Sequence, residues 1–73
     1  MEKAKGGEAM TAGERLMALR KEKKETRRAV AVAVGVSESS IYQYEHGDKV
    51  PRDGVKIALS KHFGKSVQSI FFD

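Results

Sequence analysis

The chain has 73 residues, which is enough for one domain built on one hydrophobic core. It contains no cysteine, so disulfide bonds and thiolate zinc sites are excluded as supports for such a small fold. Its formal net charge is +4, a modest excess that suits an acidic polymer as a partner without requiring one. A core of this size without cross-links favours a compact all-α bundle, and we predict that fold class.

The N-terminal segment is rich in glycine, lysine and glutamate and holds few apolar side chains. This composition predicts a disordered tail over residues 1–9 and a folded domain over residues 10–73. The tail has no apolar segment of the signal-peptide kind, and no apolar run approaches the roughly 20 residues that span a bilayer. We therefore expect a cytoplasmic protein with no membrane partner.

The first helix is predicted to begin at Thr11. Thr11 and Glu14 have the three-residue spacing of a capping box, in which each side chain bonds to the backbone N–H of the other residue. Leu16 and Leu19 then form an apolar stripe at helical spacing, which continues to about Glu25. The lysines near the end of this segment fit either an ordinary solvent-exposed face or a functional basic surface.

A second helix is predicted after Thr26, the next N-cap candidate. The alternation of alanine and valine over residues 29–34 would also fit a strand. Alanine has a strong helix propensity, however, and Val30 and Val34 lie four residues apart on one helical face. We favour the helix, which leaves Val32 exposed to solvent.

A turn, a third helix and a glycine stop follow. Gly35 supplies the positive φ that a tight turn needs, Ser37 is the next N-cap candidate, and Gly47 ends the helix. Ile41 and Tyr44 face inward. Most of the outward side chains are polar and of a size that hydrogen-bonds to base edges in a DNA major groove. They are Glu38, Ser39, Tyr42, Gln43 and His46.

Two further helices complete the predicted bundle of five. Pro51 lies in the loop after the third helix and prevents that helix from continuing. The fourth helix ends at Gly64. Its apolar residues are Val55, Ile57, Ala58, Leu59 and Phe63. Ser66 caps a last short helix, whose inward residues are Val67, Ile70 and Phe71.

One combination of residues has a familiar spacing. Its members are Thr26, Ala31, Gly35, Val36, Ser37, Ile41, Tyr44, Glu45, Gly47 and Pro51. The pattern resembles the Cro/CI-type helix-turn-helix domain of phage repressors and xenobiotic-response-element-like bacterial regulators, and the resemblance covers residues 11–72. It implies a five-helix domain whose third helix contacts the major groove of double-stranded DNA. It also implies a structural ion pair between Arg20 and Glu45, which ties the first helix to the end of the third.

The resemblance also assigns roles to individual residues. Those that would contact bases are Glu38, Ser39, Ser40, Tyr42 and Gln43. Those that would contact phosphates are Arg27, His46, Lys49 and Arg52. The chemistry agrees, because glutamine pairs with adenine, a carboxylate accepts from cytosine N4, and a helix N-terminus attracts an anion. The family usually has a glutamine at position 27, which supports the recognition helix as well as contacting phosphate. An arginine there can do both, or can contact phosphate alone.

Several of these residues also have an ordinary structural explanation. Arg27 could belong to a solvated helix face, although a cation at a helix N-terminus favours a bound anion. His46 is equally well explained as an exposed residue near a helix end. Ser37 is explained as an N-cap with no oriented base near it, so we expect no enzyme. Neither histidine has a partner at metal-ligand spacing, so we expect no metal, cofactor or small-molecule ligand.

The combined expectation is a sequence-specific transcriptional regulator at the nucleoid, acting as a repressor or as a controller of a mobile element. Related domains usually bind palindromic sites as dimers, and Val32 and Phe72 are the apolar candidates for a homodimer contact. The alternative is a protein-interaction module of the antitoxin or anti-repressor type that keeps the fold. The salt dependence of binding distinguishes the two.

Overall fold

The computed structural model describes residues 10–72, and the tail predicted over residues 1–9 lies outside them. The described residues form five helices. They are α1 (Ala12–Glu22), α2 (Arg27–Val34), α3 (Glu38–Glu45), α4 (Asp53–Phe63) and α5 (Gln68–Phe72), the last a π-helical turn. The predicted all-α fold class is confirmed. Within this part of the chain, no helix has the length and apolar character needed to cross a membrane.

Three of the helices begin at the N-caps that the sequence predicts. In the capping box of α1, Thr11 Oγ1 accepts from the N–H of Glu14 at 3.1 Å, and the N–H of Thr11 donates to Glu14 Oε1 at 2.9 Å. The hydroxyls of Thr26 and Ser37 accept in the same way, each at 3.0 Å from the N–H three residues further on. These bonds satisfy donors that a helix N-terminus otherwise leaves unpaired.

The end of α1 differs from the prediction. The helix stops at Glu22 rather than at Glu25, because Lys24 adopts the left-handed conformation with φ 58°. The N–H of Lys24 donates to the carbonyl of Lys21 at 2.9 Å. The N–H of Glu25 donates to the carbonyl of Arg20 at 3.1 Å. This pair of bonds is a Schellman motif, which closes the helix and turns the chain towards α2.

The helix interpretation of the alternating alanine–valine segment is confirmed, because α2 spans it. Val30 is almost fully buried, and Val34 packs against the core from its edge. Val32 has 75 % of its surface exposed, as predicted. A strand would have placed all three valines on one face, so their different burial follows from the helical period.

The core lies where α1, α2 and α3 meet α4 and α5. Its buried side chains are Leu16, Val30, Ala31, Ile41, Tyr44, Leu59 and Ile70. The small side chain of Ala31 lets α2 and α3 approach closely. Ile57 is half-exposed and lies outside this core, although it is one of the apolar residues of α4. Val67 and Phe71, predicted to face inward with Ile70, are half-buried.

Gly13 brings the start of α1 against the end of α3. It is buried, and a Cβ at this position would lie 2.5 Å from the carbonyl oxygen of Tyr44 and closer still to that of Glu45. Any side chain here would force the two helices apart. Nothing in the local sequence marks this glycine, because the contact joins helices that are far apart along the chain.

Candidate nucleic-acid interface

The two faces of α3 lie in opposite environments. Ile41, Tyr44 and Glu45 are buried against the rest of the bundle. The exposed residues are Glu38, Ser39, Tyr42 and His46, with Gln43 half-buried beside them. An amphipathic helix held by one face presents the side chains of the other face to solvent. The outward face that the sequence predicts is therefore present.

The turn before α3 has the backbone conformation that the sequence predicts. Gly35 has φ 81°, and the N–H groups of Gly35 and Val36 donate to the carbonyl of Ala31 at 2.8 and 3.0 Å. Val36 packs against the core between α2 and α3. Gly47, with φ 79°, follows the other end of α3. Because a residue with a Cβ rarely adopts these angles, both glycines fix the position of α3 along the chain.

A buried ion pair joins α1 to the end of α3. Arg20 Nε lies 2.6 Å from Glu45 Oε2, and Arg20 Nη2 lies 3.2 Å from Glu45 Oε1. Both residues are buried, and Arg20 Nη1 also donates to the carbonyl of Glu25 at 3.0 Å. The ion pair that the resemblance implies is therefore present in the bidentate geometry that guanidinium and carboxylate favour.

Arg27 shares the same carboxylate. Its Nε donates to Glu45 Oε1 at 2.9 Å, and its Cζ lies 5.1 Å from the centre of the Tyr42 ring. Arg27 therefore supports α3, because its long side chain connects the first turn of α2 to both faces of α3. With 32 % of the side chain still exposed, the guanidinium also remains open to an anion.

Tyr42 and His46 form an aromatic pair on the exposed face of α3. Their ring centres lie 4.2 Å apart with 31° between the planes, and the two residues are one helical turn apart. Together with Arg27 they form what we call the aromatic cluster, made of Arg27, Tyr42 and His46. The resemblance implies a DNA contact for each of these residues, and the structure shows that Tyr42 contacts the other two.

Ser40 lies at the edge of the exposed face. The residue is half-buried, and its Oγ accepts from Ser37 Oγ at 3.0 Å and from Lys49 Nζ at 3.2 Å. A hydroxyl that accepts twice keeps only its proton for a base edge. Lys49 and Arg52 line one groove with Ser40, beside the N-terminal half of α3.

The predicted site residues thus fall into two neighbouring groups. The exposed face carries Glu38, Ser39, Tyr42, Gln43 and His46, with Arg27 against it. The groove beside it carries Ser40, Lys49 and Arg52. The two groups meet along α3, because Ser40 is part of that helix.

The second histidine of the chain has a structural position. His62 Nε2 lies 2.7 Å from Glu25 Oε1, and both side chains are half-buried. This contact joins α4 to the segment between α1 and α2. Within residues 10–72, no three histidine, aspartate or glutamate side chains lie close enough together to hold a metal ion.

Five helices, a glycine turn between α2 and α3, and an α3 anchored by one face define a class of domain. The chain belongs to the helix-turn-helix domain family, which matches residues 11–67. The Cro/CI-type membership that the sequence indicates is confirmed by this match and by the solved structures that the chain resembles.

Two of those structures are of the P22 c2 repressor. One is the crystal structure in complex with a synthetic operator, with a TM-score of 0.84 and 33 % identity over 86 % of this chain and 96 % of that chain. The other is the solution structure of the DNA-binding domain, with a TM-score of 0.79 and 34 % identity over 84 % and 80 % of the two chains. No curated protein matches the chain.

Proposed function

We propose that the protein is a sequence-specific regulator of transcription that binds double-stranded DNA with α3 in the major groove. The observation that carries the proposal is that the buried and the exposed residues of α3 lie on separate faces of the helix. Ile41, Tyr44 and Glu45 hold the helix, while Glu38 and Ser39 project from it. The major groove is about 12 Å wide and admits such a helix. The likeness to the P22 c2 repressor, which was solved with a synthetic operator, supports the proposal.

The side chains of the exposed face have the chemistry that base recognition needs. Gln43 carries a donor and an acceptor and can pair with adenine N6 and N7. Glu38 accepts from cytosine N4 and repels phosphate, so it favours a base over the backbone. Ser39 donates or accepts at several bases, and Ser40 can donate its remaining proton. Tyr42 adds an aromatic edge beside them.

Four cationic or titratable side chains would hold the DNA backbone. They are Arg27, His46, Lys49 and Arg52. Arg27 lies in the first turn of α2, where backbone N–H groups also point towards a bound anion. Lys49 and Arg52 border the groove on the other side of Ser40. Contacts on both sides of α3 would set its register, while the exposed face would supply sequence preference.

Occupation of an operator would make the protein a repressor, or a controller of a mobile element, acting at the nucleoid in the cytoplasm. We propose a homodimer on palindromic half-sites about 34 Å apart, one helical turn of DNA. Val32 and Phe72, the dimer candidates named from the sequence, are exposed apolar residues, and Val50 and Ile57 are exposed as well. Regulators of this fold work by binding, so no catalytic step is proposed.

The experiment that tests the proposal begins with selection of duplexes from a random DNA library. The wild-type protein should enrich one sequence over its own non-specific binding by a factor of about 10³ or more. If no sequence is enriched at low or moderate salt, the protein is not a sequence-specific DNA-binding regulator.

The variant Gln43→Ala tests the role of the exposed face. It should reduce affinity for the selected site by about 1–3 kcal/mol and relax preference at one base pair, because one bidentate base contact is lost. Fluorescence anisotropy with the selected site and with each substituted site measures both effects. Gln68→Ala, an exposed glutamine in α5, is the matched control and should leave both unchanged. An unchanged preference in Gln43→Ala would remove Gln43 from the base contacts.

A further inference from the structure

We infer that Arg27 is a positioning residue for DNA recognition: through Tyr42 it sets the base preference at the base pair that Tyr42 faces. The inference rests on the proposed function and goes beyond it, because phosphate contact alone gives Arg27 no influence on sequence. It is carried by the aromatic cluster of Arg27, Tyr42 and His46.

A buried hydrogen-bond acceptor holds the guanidinium of Arg27 in one position. Arg27 Nε donates at 2.9 Å to Glu45 Oε1. That carboxylate is fixed in turn, because the Glu45 side chain is 1 % exposed and is gripped at its other oxygen by Arg20 Nε at 2.6 Å. A surface arginine ordinarily samples many rotamers, whereas this one is oriented by a buried acceptor.

The oriented guanidinium then restrains an exposed ring. Arg27 Cζ lies 5.1 Å from the centre of the Tyr42 ring, a cation–π distance. His46 contacts the same ring at 4.2 Å between centres. Tyr42 is 48 % exposed, and an unsupported tyrosine at that exposure would change its χ1 angle readily. The contacts from Arg27 and His46 together hold the Tyr42 ring on the face that the proposed function places in the major groove.

A restrained side chain discriminates between bases better than a mobile one, because its ordering cost is already met before binding. The buried carboxylate therefore acts on the exposed face through two links, from Glu45 to Arg27 and from Arg27 to Tyr42. Two roles of Arg27, phosphate contact and positioning of Tyr42, differ in the chemistry that they require. Phosphate contact needs only the charge of residue 27, whereas positioning needs the planar, forked guanidinium.

The variant Arg27→Lys separates the two roles. Lysine keeps the positive charge but lacks the Nε donor and the flat guanidinium surface. We expect the ratio of affinities for the preferred and non-preferred base at one position to fall about tenfold, the size of one good base contact. Selection from random DNA followed by anisotropy on single-base variants of the selected site measures this ratio. Arg28→Lys, its exposed neighbour in α2, is the matched control and should keep the wild-type preferences.

Two further measurements test the route through Tyr42. In the protein without DNA, nuclear Overhauser contacts between the Tyr42 and His46 rings should weaken in Arg27→Lys and persist in Arg28→Lys. In a Tyr42→Ala background, Arg27→Lys should cause no further loss of discrimination, since the link is already broken. Circular dichroism at the temperature of the binding assay checks that each variant is folded.

The outcomes separate the inference from the proposed function. If the wild-type protein selects a sequence and Arg27→Lys selects the same one with the same preferences, the inference is wrong and the proposed function stands. The inference is also wrong if Arg27→Lys loses discrimination equally in the wild-type and Tyr42→Ala backgrounds. If the wild-type protein selects no sequence at all, both are overturned.

Discussion

Single residues that no local pattern marks decide how α3 is held. Gly13 is the clearest example, since its α-carbon faces the carbonyl oxygens of Tyr44 and Glu45 at the end of α3. In the sequence it is only the second residue after the N-cap Thr11, where most residues would be tolerated. The requirement for glycine comes from the other helix and becomes visible only when the two are packed.

We expect Gly13→Ala to lower the free energy of unfolding by about 1–3 kcal/mol, because the new methyl group would overlap rigid backbone atoms. Urea denaturation followed by circular dichroism measures the change. Gly54→Ala is the matched control, since a Cβ there meets nothing within 4 Å in the first turn of α4. The control should be stabilised by about 0.5–1 kcal/mol. Equal stability of Gly13→Ala and the wild type would refute the close contact.

At the scale of whole elements, the helix ends differ in how well the residue present suits the left-handed backbone conformation. The C-terminal ends of α3 and α4 are followed by Gly47 and Gly64, whose positive φ suits glycine. After α1 the equivalent position is Lys24, with φ 58°. It is the one residue other than glycine with positive φ in the described part of the chain. The left-handed conformation costs a residue with a side chain about 1–2 kcal/mol.

Lys24→Gly should therefore stabilise the protein by about 0.5–1 kcal/mol, because glycine removes that strain and loses part of the gain through its freedom in the unfolded chain. The change appears as a higher urea midpoint with an unchanged slope. Lys21→Gly removes the same charge inside α1 and should destabilise by about 1 kcal/mol. A fall in the midpoint for Lys24→Gly would contradict the strain at this helix end.

The elements that the sequence predicts well are those set by local chemistry. Thr11, Thr26 and Ser37 are N-caps, and Gly35 makes the turn, because each acts on backbone atoms only a few residues away. Contacts between helices are harder to predict from the sequence. The link from Arg27 to Glu45 escaped prediction because its two ends are 18 residues apart along the chain and lie on helices whose rotation the sequence does not specify.

At the scale of the whole molecule, net charge and its placement favour the DNA-binding hypothesis over the protein-interaction one. The chain carries a formal charge of +4, and three permanent cations border the exposed face of α3 and its groove. They are Arg27, Lys49 and Arg52. A protein-interaction module has no requirement for cations at these places, whereas a DNA-binding domain uses them to displace counterions from phosphate.

We expect log K for DNA binding to fall against log salt with a slope of about −2.7 for each domain, because the three permanent cations among the proposed phosphate contacts add about −0.9 each. Arg52→Gln should make the slope less steep by about 0.9 without changing base preference. Anisotropy on the selected site and on an unrelated duplex at several salt concentrations gives both quantities. A slope near zero would favour the protein-interaction alternative.

The position of Glu45 has a consequence for engineering. Because Arg27 is hydrogen-bonded to this carboxylate and also contacts Tyr42, the exposed face of α3 depends on a residue of another helix. Grafting Glu38, Ser39, Tyr42 and Gln43 onto another domain of the family would transplant Tyr42 without its contact to Arg27. If the exposed face of α3 contacts bases as proposed, a graft that keeps its preference has to include residue 27 of the preceding helix. The unit to transplant would then be the α2–α3 pair.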